Sequence, residues 1–163
     1  EVAADGLAET MSSAGTYLFS CEHGLIWTTE TPYSDVWIYP ISGSPHRRLE
    51  DGSYAVADSR VHRELGRLLN HLMAGDVDYF QRHFTLSQSE AAVELLPKRK
   101  SFRKIVDSVT LSTGPTGPLL VLRQPAQQMR IAIVETQQLP LLDVQVCVDY
   151  LPAHTGSCAW LFD

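Results

Sequence analysis

The sequence predicts an α+β protein, mostly antiparallel β with a few helices. Three observations carry this. Short apolar segments bounded by Gly, Pro and Ser recur along the 163 residues. One segment alone sustains a long helical period. Helices are too few to alternate with strands, as a parallel βαβ sheet would require. Many short strands with few helices argue for an antiparallel sheet that curls.

The elements follow in order. Residues 14–21 and 25–31 flank the turn Glu22-His23-Gly24, and a short connection ending in Gly suits a hairpin that needs one residue at positive φ. Pro32 closes the second strand. Residues 35–39 form another, with Val36, Ile38 and Pro40 on one face and Trp37 and Tyr39 on the other. Residues 41–52 read as a loop rich in Ser, Gly and Pro that carries His46, Arg47 and Arg48.

The clear helix covers residues 59–73, where Val61, Leu65, Leu68, Leu69 and Leu72 recur at three- and four-residue spacing as one apolar stripe. Asp58 is its expected N-cap and Gly75 its expected stop. Asp76 then caps a short helix through Val77, Tyr79 and Phe80 to His83. Strands are expected at residues 84–86, 92–96, 105–111, 119–122, 129–135 and 142–150, with a last edge strand at 159–162. Gly114-Pro115-Thr116-Gly117-Pro118 makes a tight connection between two of them. No repeat, low-complexity block or linker interrupts the chain, so residues 1–163 read as one domain.

Composition narrows the function. At 18.1 kDa the chain is long enough to bury a core, and 44% hydrophobic with 20% charged residues is ordinary for a globular protein. The net charge is −6 with a pI of about 5.4. A duplex nucleic-acid binder needs a basic stripe to displace counterions, so nucleic acid is not an expected partner. The dense basic cluster Lys98, Arg99, Lys100, Arg103 and Lys104 reads as a solvated strand end or loop. No apolar run approaches the ~20 residues that span a bilayer. No leader-like segment is present, and a start at Glu1 without Met permits a removed signal.

Cys147 and Cys158 flank a turn-like segment containing Pro152 and Gly156. Two readings stand: a hairpin disulfide, suited to an oxidising compartment, or two buried thiols. Cys21 is expected as a small apolar core residue. No Gly-rich phosphate loop, HExxH, GxSxG or paired CxxC occurs. The six histidines are scattered, and His62 and His71, nine residues apart on the helix, cannot converge on one ion. No catalytic, cofactor-binding or metal-binding residues are expected, and the chain does not read as an enzyme.

Several segments recur in an order and spacing with a family signature. Gly15-Thr16 opens a strand, Gly24-Leu25 follows, and Trp27 precedes Pro32 by five residues. The run from Leu68 to the Gly75-Asp76 step, the strand Phe84-Thr85-Leu86, the Leu95-Leu96-Pro97-Lys98 strand end and the apolar-alternating stretch from Phe102 come after it. Together they resemble the periplasmic lipoprotein carriers of the outer-membrane localisation pathway, the LolA-like family, over residues 15–135.

The resemblance implies a curved antiparallel sheet forming a half-open barrel with a helical lid. It implies a periplasmic carrier that shields the acyl chains of lipoproteins between an inner-membrane donor and an outer-membrane receptor. Burying a methylene is worth about 0.8 kcal/mol, so one long acyl chain costs on the order of 10 kcal/mol to expose. Expected cavity residues are Leu18, Ile26, Trp27, Val36, Ile38, Leu95, Val109, Val121, Ile131 and Ile133. Expected lid residues are Leu65, Leu68, Leu69, Leu72 and Met73, Met suiting a site that repacks around variable chains.

The chain departs from the pattern twice. The family's Arg on the first matched strand, thought to tie the lid shut, is matched here by Cys21. Only 14 residues precede Gly15, where the family has a helix and a strand. The tail at 141–163 has no counterpart. Alternative readings are a carrier for another lipid or glycolipid, a membrane-anchored receptor of the same fold, or a protein-interaction module of the cell envelope. In the last, Tyr33, Trp37, Tyr39 and the His46-Arg47-Arg48 loop would mark the partner surface.

Overall fold

Alternation of apolar and polar residues builds two antiparallel sheets in the computed structural model, which describes residues 2–4, 12–139 and 142–162. One sheet has six strands and the other five, in place of the single curved sheet expected. They belong to two compact units. The six-stranded unit comprises Glu1–Ser12 and Asp76–Gln138, the five-stranded unit Ser13–Gly75 and Leu139–Asp163.

Strand β1 (Val2–Ala4) is an edge of the six-stranded sheet. The chain then lays down the five-stranded sheet in simple succession: β2 (Tyr17–Ser20), β3 (Gly24–Thr29), β4 (Asp35–Pro40), β5 (His46–Arg48) and β6 (Tyr54–Val56). Gly24 turns the first hairpin at φ 126°, as its position predicts. The stretch at 41–52 contains β5, a strand too short and too polar to register as one in sequence. Cys21 lies exposed at the hairpin tip rather than in the core, because the ladder ends at the Ser20–Gly24 pair.

Helix α1 (Arg60–Ala74) follows. Its N-cap is Ser59, whose hydroxyl accepts from the His62 N–H at 3.2 Å, while Asp58 pairs with Arg63 instead. Gly75 ends the helix in the left-handed conformation and bonds back to its last carbonyls. Asp76 caps α2 (Val77–His83) by accepting from the Tyr79 N–H at 2.9 Å.

The six-stranded sheet is completed by β7 (Phe84–Gln88), β8 (Ala92–Pro97), a short helix α3 (Lys100–Arg103), β9 (Ser108–Gly114), β10 (Gly117–Gln124) and β11 (Gln127–Ala132). Its order is β1-β11-β10-β9-β8-β7, and the Gly114–Gly117 pair closes the predicted tight turn. The strand expected over 105–111 begins only at Ser108, because Phe102, Ile105 and Val106 turn inward as a buried helical corner.

The tail overturns the strand expectations at 142–150 and 159–162. It forms α4 (Val144–Tyr150), a 3-10 turn at Pro152–His154, and α5 (Thr155–Phe162). Val144, Val146 and Val148 mimic strand alternation, yet Val144, Cys147, Val148 and Leu151 equally make a helical stripe. Asp143 decides between them by capping the helix, accepting from the Val146 N–H at 2.8 Å. Cys147 and Cys158 are bridged, tying α4 to α5 with their Cα atoms 5.7 Å apart. Residues 140, 141 and 163 of this tail lie outside the described residues.

Closing an eleven-residue separation removes chain entropy worth about 3 kcal/mol from the unfolded state. The Cys147→Ser/Cys158→Ser double variant is therefore expected to lose about that much in urea unfolding. A loss below about 1 kcal/mol would show that the bridge does not constrain the unfolded chain as that entropy model requires.

Candidate functional site

Residues directly opposite across an antiparallel ladder share a face, so the register sorts the expected cavity residues. In the five-stranded sheet, Leu18, Ile26 and Ile38 pair across β2, β3 and β4, with Val36 beside them. All four are buried in one core with Cys147, Leu151, Cys158 and Leu161 of the disulfide-linked helices. Tyr54 seals this side with its hydroxyl 2.7 Å from Ser157 Oγ, and His46 lies 4.3 Å from the Trp160 ring. These four residues are therefore filled by the chain's own helices rather than lining an open surface.

Trp27 points to the opposite face, half-buried beside Tyr17 at 6.4 Å between ring centroids. Helix α1 packs on this face. Gly66 meets the Tyr39 ring so closely that an added Cβ would fall 2.5 Å from Cδ1, and Asn70 Nδ2 donates to the Tyr39 carbonyl at 3.0 Å. Of the expected lid residues Leu68 is fully buried, while Leu65, Leu69, Leu72 and Met73 are half-buried.

The N-terminal half of α1 is held by a polar and aromatic cluster. His62 stacks on Trp37 with ring centroids 4.3 Å apart, and Tyr39 stacks on Trp37 at 5.9 Å. Asp35 accepts from Trp37 Nε1 at 2.8 Å and from Arg47 Nε at 3.0 Å, and the Arg47 guanidinium lies 5.4 Å from the Trp37 ring centroid. Burial, and then the Arg47 charge, push the His62 imidazole below its ordinary range. Burial, and then Asp35, push the Tyr39 phenol upward. This cluster positions the start of the helix on the sheet.

The six-stranded sheet has one apolar face. Val93, Leu111, Leu120 and Ile131 pair in one row across four strands, and Leu86, Leu95, Val109, Leu122 and Met129 in the next. One end of this face is packed with aromatic rings: Phe84 lies 5.6 Å from Phe80 and 5.7 Å from Phe102. Leu95, Val109 and Leu122 are buried there. Val93, Leu111, Leu120, Met129 and Ile131 are half-buried, and Leu86 is 41% exposed. Of the residues expected here, Leu95, Val109 and Ile131 share this face. Val121 lies on the other one, paired with Thr110 and Arg130, and Ile133 lies beyond β11, its N–H bonded to Pro118.

Leu111, Leu120, Leu122 and Met129 were not singled out by the sequence reading. Leu119-Leu120-Val121-Leu122 is apolar at every position, so its parity is set only by the register with Thr110 and Arg130. Among the described residues no group of three or more His, Cys, Asp or Glu could hold a metal ion, and no helix is long and apolar enough to cross a membrane. No protein-family model matches the chain, and a search of curated proteins finds no significant match.

The seating of α1 and the two partly buried histidines each lead to a test. Gly66→Ala should cost about 1–3 kcal/mol despite its better helix propensity, because the new methyl collides with a buried ring; a stabilised variant in urea unfolding would contradict this packing. His62 and His154 are both held below the ordinary imidazole value of 6.5, each by burial first and a neighbouring Arg second. Their contribution to stability is thus present above that value and lost as pH falls through the lower folded values. The Tm should decline as pH drops below about 6.5, and less steeply in a His62→Gln/His154→Gln variant. Parallel Tm profiles for the two proteins would refute it.

Proposed function

We propose that this protein is a lipid-binding carrier of the cell envelope, which shelters acyl chains on the apolar face of its six-stranded sheet. The observation that carries this reading is a row of half-buried aliphatic side chains, Val93, Leu111, Leu120 and Ile131, crossing four strands. An apolar face of this width is unfavourable in water, at roughly 25 cal/mol per Å², and an acyl chain is a natural cover. The disulfide supports an oxidising compartment such as the periplasm. In this reading the apolar face of the six-stranded sheet is the concave side of a half-open barrel. The cargo is an acylated lipoprotein passing from an inner-membrane donor to an outer-membrane receptor, with another lipid or glycolipid, or a membrane-anchored form of the protein, as variants.

The lining is assigned to Leu95, Val109, Ile131 and their row partners on the six-stranded sheet. Leu18, Ile26, Val36 and Ile38 leave the lining, since the disulfide-linked helices fill their face. The protein-interaction reading loses two of its anchors: Tyr39 is buried and Trp37 lies under His62, leaving Tyr33, 74% exposed, and the His46-Arg47-Arg48 stretch with Arg47 exposed.

The test is native mass spectrometry with a diacyl or triacyl lipopeptide. One exchangeable ligand per chain is expected. Leu111→Glu and Leu120→Glu, which place a charge on facing partners of the row, should weaken binding at least about tenfold, as 1.4 kcal/mol or more would, with circular dichroism unchanged. A chain that ignores every acylated ligand, or variants that bind like the parent protein, would overturn the proposal.

A further inference from the structure

The charge of this protein is unevenly distributed. Residues 76–138 carry eight Lys and Arg against six Asp and Glu, whereas the rest of the sequence carries five against thirteen. Five of those eight cations fall within seven residues, Lys98, Arg99, Lys100, Arg103 and Lys104, around α3 at one end of the six-stranded sheet. The sequence alone suggests a solvated strand end. The structure adds two facts that a merely solvated run does not require.

First, all five side chains are exposed and none forms an ion pair among the described residues. The ion pairs of Arg47, Arg63 and Arg67, by contrast, each join a carboxylate. Second, two of the five are held in place by neutral acceptors. Lys98 Nζ donates to the Gln81 carbonyl at 2.6 Å, and Arg103 Nε donates to the Pro97 carbonyl at 2.7 Å. Carbonyl oxygens position the cations without cancelling their charge. Phe102 is buried on the inner side of the helical turn, while Lys100, Arg103 and Lys104, at three- and four-residue spacing, share its outer side. Like charges so arranged repel one another, and an external anion would relieve that repulsion.

We propose that this basic end of the six-stranded unit is a docking surface for an anionic bilayer. The choice of a membrane over an acidic protein rests on the carrier reading, because a chain that loads or delivers acyl lipids must reach a bilayer surface. Charge complementarity carries the rest: clusters of four to eight Lys and Arg bind anionic headgroups additively. Charges farther than a Debye length of about 8–10 Å are screened at physiological salt, so a net charge of −6 does not by itself forbid such contact.

The experiment is co-sedimentation with vesicles of mixed phosphatidylglycerol and phosphatidylcholine, compared with phosphatidylcholine alone. Binding is expected only to the anionic vesicles, and should be released as salt approaches 1 M, where the Debye length is about 3 Å. Each neutralised cation should weaken partitioning about fivefold, so Arg99→Gln/Lys100→Gln/Lys104→Gln should lose about 100-fold. The control variant Arg60→Gln/Arg63→Gln/Arg67→Gln, on α1, should bind like the parent. Equal binding to both vesicle types, equal loss in the control, or no vesicle binding by a protein that binds polyglutamate would each overturn the proposal. Lipopeptide binding by native mass spectrometry separates the two readings. A chain that takes up lipopeptide but ignores anionic vesicles sinks the docking surface alone, and the reverse sinks the carrier alone.

Discussion

A strand sends alternate side chains to opposite faces, so every sheet with an apolar face must find something to cover it. That constraint organises both units of this protein, and they meet it differently. The five-stranded sheet is sandwiched: α1 covers the face of Trp37 and Tyr39, and the disulfide-linked α4 and α5 cover the face of Ile26 and Ile38. The six-stranded sheet covers the aromatic end of its apolar face and leaves the row from Val93 to Ile131 half-buried. Within that unit, the incomplete cover is where a ligand has something to offer.

The five-stranded unit shows what holding a helix on a sheet requires. Steric fit comes from Gly66 against the Tyr39 ring, and direction from Asn70 bonded to the Tyr39 carbonyl. The Asp35–Trp37–Arg47 group adds a polar frame on which His62 rests, its Nδ1 buried without a hydrogen-bond partner among the described residues. An imidazole in that position is favoured neutral, so the grip on the start of α1 weakens with acid. A lid role for α1 would have to break all three contacts, and the helical stripe alone gives no measure of that cost. The opposite face has a different device, a covalent bridge between two short helices that are each too short to persist alone.

Much of this was legible in the sequence where one local signal had no competitor. The stripe from Leu65 to Leu72, with Gly75 and Asp76 behind it, fixed α1 and the start of α2 to within a residue. Val36 and Ile38 were separated from Trp37 and Tyr39 by plain alternation. Where two periods fit the same residues, the reading failed: Val144, Val146 and Val148 concealed α4 until the Asp143 cap was seen. Continuous apolar runs hid parity, which is why Val121 was chosen over Leu120. The grouping of strands into two sheets depends on long-range pairing, such as β1 with β11, that no local pattern encodes. The exposed position of Cys21 depends on where the β2–β3 ladder stops.

The central claim is that acyl chains lie on the row formed by Val93, Leu111, Leu120 and Ile131. The most direct measurement is cross-linking with a lipopeptide that carries a photoactivatable group in its acyl chain, followed by peptide mapping. The account predicts adducts on β8 to β11 at residues of that row and at Leu86 or Met129 beside it. Adducts confined to Thr85, Glu94, Thr110 and Val121 on the opposite face, or the absence of any specific adduct, would contradict it.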